Sequence, residues 1–117
     1  MTHFGEHVRQ RRENLRKEDP RYSLRQVAQR IGIEPAYLSK IERGELQPPS
    51  EATTLRLAKE LGEDPDMLLA MAGKVSSDLQ EIIRRRPRLF ADLIRQLKQA
   101  PDHAILRVVR EVRDGDW

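Results

Sequence analysis

Cysteine is absent from this chain of 117 residues, which excludes a disulfide framework and any thiolate metal site and suits a reducing compartment. Aromatic residues are few, at 4 %, against 38 % hydrophobic residues overall; with no β-branched runs and no hairpin dipeptides, this composition excludes a β-sandwich and predicts a lean helical protein. No apolar run is long enough to span a bilayer, and the opening Met1-Thr2-His3-Phe4-Gly5-Glu6 lacks the apolar core of a signal peptide. The expectation is a soluble, cytoplasmic, all-α protein without membrane contact. At this length the chain accommodates one domain, or one small domain with an appendage.

The most informative stretch is Ser23 to Gly44, SLRQVAQRIGIEPAYLSKIERG, which spells two short helices joined by a glycine turn. Ser23 is suited to cap the first, where Leu24, Val27, Ala28 and Ile31 recur at helical spacing. Gly32 ends it, because a residue just past a helix end often needs a positive φ that glycine adopts freely. Pro35 fits the first turn of the second helix, where no N–H is required. Tyr37, Leu38 and Ile41 form the inward face of that helix, while Pro35, Ala36, Ser39 and Lys40 fall on the other side. Ala28 suits the crossing of the two helices, and Gly44 ends the second. Two short helices around such a turn have the grammar of a DNA-reading helix-turn-helix.

The breakers outline the remaining elements. A first helix is predicted from about Phe4 to Arg16, with Phe4, Val8, Arg12 and Leu15 along one stripe. After Gly44, Glu45 to Ser50 reads as a turn ending in a cap, followed by a helix whose inward residues are Leu55, Leu57, Ala58 and Leu61 up to Gly62. Asp64-Pro65 starts a fifth helix, whose Met67, Leu68, Leu69 and Met71 close the core, the methionines acting as filler. Residues 1–74 form the first predicted domain. Residues 75–117 form a C-terminal extension of about three amphipathic helices: one capped by Ser76 or Ser77 and interrupted by Pro87, one bearing Leu89, Phe90, Leu93, Ile94 and Leu97, and one after Pro101 bearing Ala104, Ile105, Val108, Val109 and Val112.

Val27-Ala28, Gly32-Ile33, Tyr37 to Gly44 and the later Pro49-Ser50 resemble the phage-repressor-like Xre/Cro family over about residues 4 to 73. The resemblance implies a five-helix repressor-like fold whose second motif helix enters the major groove of double-stranded DNA. It also implies base reading at Pro35, Ala36, Ser39 and Lys40, beside Glu34. Lys40 is the expected guanine reader, Ser39 contacts either base type, Pro35 and Ala36 touch thymine methyl groups, and Glu34 accepts from a cytosine amine or repels a phosphate. In the family an arginine near position 12 pairs with the glutamate of the Ile41-Glu42-Arg43-Gly44 segment, so the resemblance implies a buried Arg12–Glu42 ion pair. Lys17 to Tyr22 departs from the family pattern as a longer link, read as a surface loop, with placement of Lys17 or Arg21 beside the DNA backbone as the alternative.

Charge distribution agrees with this reading. Net charge is +3, but residues 1–43 hold ten Lys/Arg against six Asp/Glu, and residues 44–74 only three against six. The positive half orients toward a polyanion. Phosphate contacts are expected at the N-terminus of the Ser23 helix, through Ser23 and Leu24, and from Arg25, Arg43 and Arg21. Arg84 to Arg88 is read as a solvated face.

No glycine loop for phosphate, no nucleophile signature and no buried-looking carboxylate pair is present. His3 and His7 stand four apart without a third ligand, so no enzyme, metal or cofactor is expected. Homodimerisation is expected through Leu89, Phe90, Leu93, Ile94, Leu97, Ile105, Val108, Val109, Val112 and Trp117, with Trp117 sealing a neighbouring helix. A monomeric cap is the alternative at that point. The competing expectation for function is an antitoxin or adaptor whose C-terminal helices hold a partner protein.

Overall fold

The computed structural model describes residues 3–117, which form helices joined by turns and short irregular segments, with no strand among them. The chain divides into two compact units, residues 1–76 and 77–117. None of the helices among the described residues is long and apolar enough to cross a membrane.

The first unit holds α1 (His3–Arg16), a short 3₁₀ turn (Pro20–Tyr22), α2 (Leu24–Ile31), α3 (Pro35–Glu42), α4 (Glu51–Leu61) and α5 (Pro65–Met71). α1 buries Phe4, Val8 and Arg12 at four-residue intervals, one face of a helix with 3.6 residues per turn. α1 packs on α3, α4 and α5, while α2 packs on α3 and α4. Phe4, Val8, Val27, Ala28, Ile31, Leu38, Ile41, Leu57, Ala58, Leu61 and Leu68 make one continuous core.

Local chemistry sets the helix ends. Ser23 Oγ accepts from the Gln26 amide at 3.2 Å and caps α2. Gly32, at φ 77°, reverses the chain, so that its own amide donates to Gln29 O and the Ile33 amide donates to Ala28 O at 3.0 Å. That paired closure needs the left-handed conformation, and a side chain there is strained. Pro35 then opens α3, and Glu34 precedes it without a side-chain capping bond.

Two features differ from the sequence expectations, and a third had no counterpart in them. Leu55 lies outside the core at 37 % exposure, and Thr54 is buried in its place. Leu57, Ala58 and Leu61 determine the inward direction of α4; residue 54 is one turn back on that face, whereas residue 55 sits two positions before Leu57, about 200° around the helix. Thr54 Oγ1 donates to Pro49 O at 3.4 Å, so the buried hydroxyl is satisfied. The Lys17–Tyr22 link is not all loop, because Asp19 accepts from the Arg21 amide and Pro20 presets φ, which closes the 3₁₀ turn. His7 and Arg11 serve the packing of α1 on α4: His7 Nε2 donates to Glu63 Oε1 at 3.0 Å, and Arg11 Nε donates to Leu61 O at 2.9 Å, capping an end carbonyl of α4.

The second unit holds α6 (Ser77–Arg85), α7 (Pro87–Leu97) and α8 (Asp102–Asp114). None of the three helices buries a residue. Leu89, Leu93, Ile94, Val108, Val109 and Val112 are exposed, Phe90, Leu97 and Ile105 are half-buried, and Leu106 is a further exposed apolar residue outside the expected set. Trp117 seals no helix: it is 84 % exposed, its Nε1 donates to Val112 O at 3.1 Å, and its ring folds back on Gly115.

Gly5 was unremarked by helical periodicity, yet it decides how closely α1 approaches α3. A Cβ at residue 5 collides with the carbonyl oxygen of Ile41 and lies 2.9 Å from that of Glu42, both backbone atoms. Gly5→Ala is therefore expected to destabilise the domain by about 1–3 kcal/mol, the usual cost of overpacking. Urea unfolding monitored by circular dichroism checks this, and an unchanged midpoint contradicts it.

Candidate nucleic-acid interface

α3 carries two chemically distinct sides. Leu38, Ile41 and Glu42 are buried, whereas Ala36 and Lys40 are exposed and Pro35 and Ser39 are half-exposed. Glu34 is exposed at the N-terminal end of this same surface. The outward side is thus narrow, with small residues and one long cation.

α3 is anchored from behind by Arg12 of α1. Arg12 Nε donates to Glu42 Oε2 at 2.8 Å and Nη2 donates to Glu42 Oε1 at 2.9 Å, a two-pronged pair with both side chains only 3 % exposed. Nη1 donates to Tyr22 O at 3.2 Å and Nη2 also to Glu13 Oε1, so one guanidinium ties α1, the 3₁₀ turn and α3 together. The hydrogen bonds to Glu42 outweigh burial and raise the Arg12 pKa further above its ordinary range, so its charge is permanent.

Around α3, Leu24 of α2, Ser39 and Arg43 come together in one groove of about 190 Å³, whose wall also includes Arg9, Glu13 and the Arg12–Glu42 pair. Arg9 lines a second, wider opening with Glu6, Arg43 and Gly44. Sequence reasoning missed Arg9, which is one of four arginines in α1; only packing distinguishes it from Arg11, turned onto α4, and Arg12, buried under α3.

The cations flanking this surface differ in their engagement. Arg43 donates from Nη2 to Glu45 Oε2 at 2.7 Å, from Nε to that same oxygen at 3.2 Å, and from Nη1 to Ser39 Oγ. This pairing raises the pKa of Arg43 and lowers that of Glu45. Arg21 grips Asp19 through Nε at 3.0 Å and Nη2 at 2.8 Å, and these bonds hold the Asp19 carboxyl down at about 2. Arg30, also missed, lies over the Tyr22 ring at 5.3 Å and pairs with Glu60. Arg25 is exposed and forms no ion pair among the described residues.

At the start of α2, the Ser23 amide donates to Pro20 O at 3.2 Å, so that N–H is not available to a ligand; the Ser23 hydroxyl proton and the amides of Leu24 and Arg25, which have no intrahelical acceptor, remain. Among the described residues no group of three or more His, Cys, Asp or Glu is arranged to hold a metal ion.

Two short helices joined by a left-handed glycine turn, the second with a free outer side and the first with its N-terminus beside it, make a helix-turn-helix. A family model described as helix-turn-helix domain matches residues 3–71, and the chain belongs to this family of DNA-binding domains. No curated protein and no solved structure gives a significant match.

Removing either member of the Arg12–Glu42 pair leaves a buried charge without its partner, a loss of about 3–5 kcal/mol. Arg12→Ala and Glu42→Ala are each expected to fall in stability by that amount in chemical denaturation. The double change Arg12→Met with Glu42→Leu recovers most of it. Single variants that unfold with the wild type contradict the assignment.

Proposed function

We propose that this protein is a transcriptional regulator of the Xre/Cro type, which binds double-stranded DNA sequence-specifically with α3 in the major groove and represses its own gene from a palindromic operator as a homodimer. The observation that carries the reading is the outward side of α3, where Ala36, Ser39 and Lys40 stand clear of the Leu38 and Ile41 core beside the N-terminus of α2. Small side chains let such a helix lie deep in a groove about 12 Å wide. In this reading Lys40 donates to guanine O6 and N7, Ser39 serves either base type, Pro35 and Ala36 touch thymine methyl groups, and Glu34 faces a cytosine amine. Phosphates are held by the Ser23 hydroxyl, the Leu24 amide and Arg25, while Arg21 and Arg43, paired with Asp19 and Glu45, stand at the edges as cations that a phosphate reaches only by displacing those carboxylates. Hydrogen-bonded base contacts are few, so DNA shape contributes to the choice of site.

The homodimer is supported by the second unit, which buries no residue and so gains a core by association. The Leu89, Phe90, Leu93, Ile94 and Leu97 face of α7 and the Ile105, Val108, Val109 and Val112 face of α8 are the proposed contact, with Trp117 at its edge. The same exposed faces favour the second reading, an antitoxin or adaptor whose C-terminal helices hold another protein. Light scattering of the purified protein at micromolar concentration separates the two: a dimer supports the first, and a monomer that dimerises only with a co-purified partner supports the second.

Titration against DNA from upstream of its own gene and against random duplex, at two salt concentrations, tests the main reading. Saturable preference for the upstream DNA is expected, and equal, weak, salt-sensitive binding to both overturns it. Lys40→Ala is expected to lose about 1–3 kcal/mol on the preferred site and to relax discrimination at one base pair. Arg25→Ala weakens binding to every sequence and flattens the salt dependence.

A further inference from the structure

We infer that Asp19 and Glu45 are specificity determinants of the DNA-binding domain, each withholding a flanking arginine from DNA phosphate and so suppressing non-specific binding. The inference rests on the proposed DNA-binding function and extends it to residues outside the base-reading and phosphate-contacting sets.

Both pairs are forks. Asp19 receives Nε and Nη2 of Arg21 at 3.0 and 2.8 Å and is itself anchored, accepting the Arg21 amide at 3.0 Å as the cap of the 3₁₀ turn. Glu45 receives Nη2 of Arg43 at 2.7 Å, while the opposite side of that guanidinium is held by Ser39 Oγ. Each carboxylate lies only two residues from its arginine, so little chain entropy opposes the pairing. All four residues border solvent, so the pairs are within reach of a polyanion and open to exchange.

The physical consequence is a difference between loose and registered binding. Association with arbitrary DNA is almost wholly electrostatic, and each unpaired cation laid on a phosphate releases a counterion. An arginine already held by a carboxylate contributes less, because the displaced carboxylate recruits a cation in its place. In a registered complex, base contacts from α3 supply affinity that random sequence does not, and the closed Arg43 pair keeps a donor on Ser39 Oγ, which leaves the hydroxyl proton to point at a base acceptor. Arg43 thereby acts as a positioning residue for Ser39.

Glu45→Gln and Asp19→Asn test this, the asparagine preserving an oxygen that caps the turn. Each variant is expected to bind random duplex about two- to fivefold more tightly at low salt, as expected for an exposed pair, with a salt slope steeper by about 0.9. Affinity for the preferred upstream DNA changes less than twofold, so the ratio of specific to random binding falls. Two controls isolate the arginines from the general field: Glu18→Gln, which removes a charge beside Asp19, leaves the ratio unchanged, and Glu45→Gln placed in an Arg43→Ala background gives no gain. Unchanged random-duplex binding, an equal gain on both DNAs, or a gain that persists without Arg43 overturns the inference while leaving the DNA-binding function standing. A wild-type protein that binds neither duplex overturns both.

Discussion

The Arg12–Glu42 pair is the constraint on which the position of α3 depends. Two opposite charges are taken out of water together, and the gain from their attraction is offset largely by lost hydration, so the pair adds little net stability over an apolar pair of similar volume. Its effect is geometric. A guanidinium fork donates to a carboxylate in one plane and at one distance, and two of the other three N–H groups of Arg12 are taken by Tyr22 O and Glu13. Rotating or sliding α3 on α1 breaks both bonds to Glu42 at once and strands two charges. The outward side of α3 is therefore held in a single orientation by an interaction on its inward side.

That constraint operates only because the backbones are close. Gly5 carries no Cβ where α1 meets the last carbonyls of α3, and Ala28, fully buried, carries the smallest side chain in α2 among the core residues. The core between them is built mostly from aliphatic side chains, with Phe4 its one fully buried aromatic residue. With so few large residues, close helix approach takes the place of bulk in filling the interior. Thr54 belongs to the same economy of volume: it occupies a fully buried site in α4, and its hydroxyl is accommodated because Pro49 O is in reach.

The two units present different physical problems. The first buries its apolar stripes and leaves polar and charged groups outward, each of the cations flanking α3 in a defined relation to a carboxylate or to solvent. The second exposes Leu89, Ile94, Leu106, Val109 and Val112 along amphipathic helices. Helices of nine to thirteen residues are marginal in water on propensity alone and gain stability when an apolar face is covered. This is the physical reason behind the association proposed for that unit.

Much of the helix-turn-helix was legible in residue order, because its signals are local. Ser23 before an apolar period, Gly32 where the chain must turn left-handed, Pro35 at a helix start and Ser50 and Gly62 around α4 each act within one or two turns of backbone, and each does so in the structure. Arg12 stood out among the four arginines of α1 because it falls on the apolar stripe of Phe4 and Val8, but which of the others caps α4 and which lines the groove was not legible from residue order alone, since they carry the same charge on the same helix. Leu55 and Thr54 show the same limit, for composition favours the leucine while the phase set by Leu57, Ala58 and Leu61 favours the threonine. The sequence by itself determined the helices, their caps and the turn, through forces that decay within a few residues. Only the tertiary structure decided the collision space at Gly5, the bond of His7 to Glu63 and that of Arg11 to Leu61 O, because those depend on distances between atoms of segments that meet only when the chain is packed.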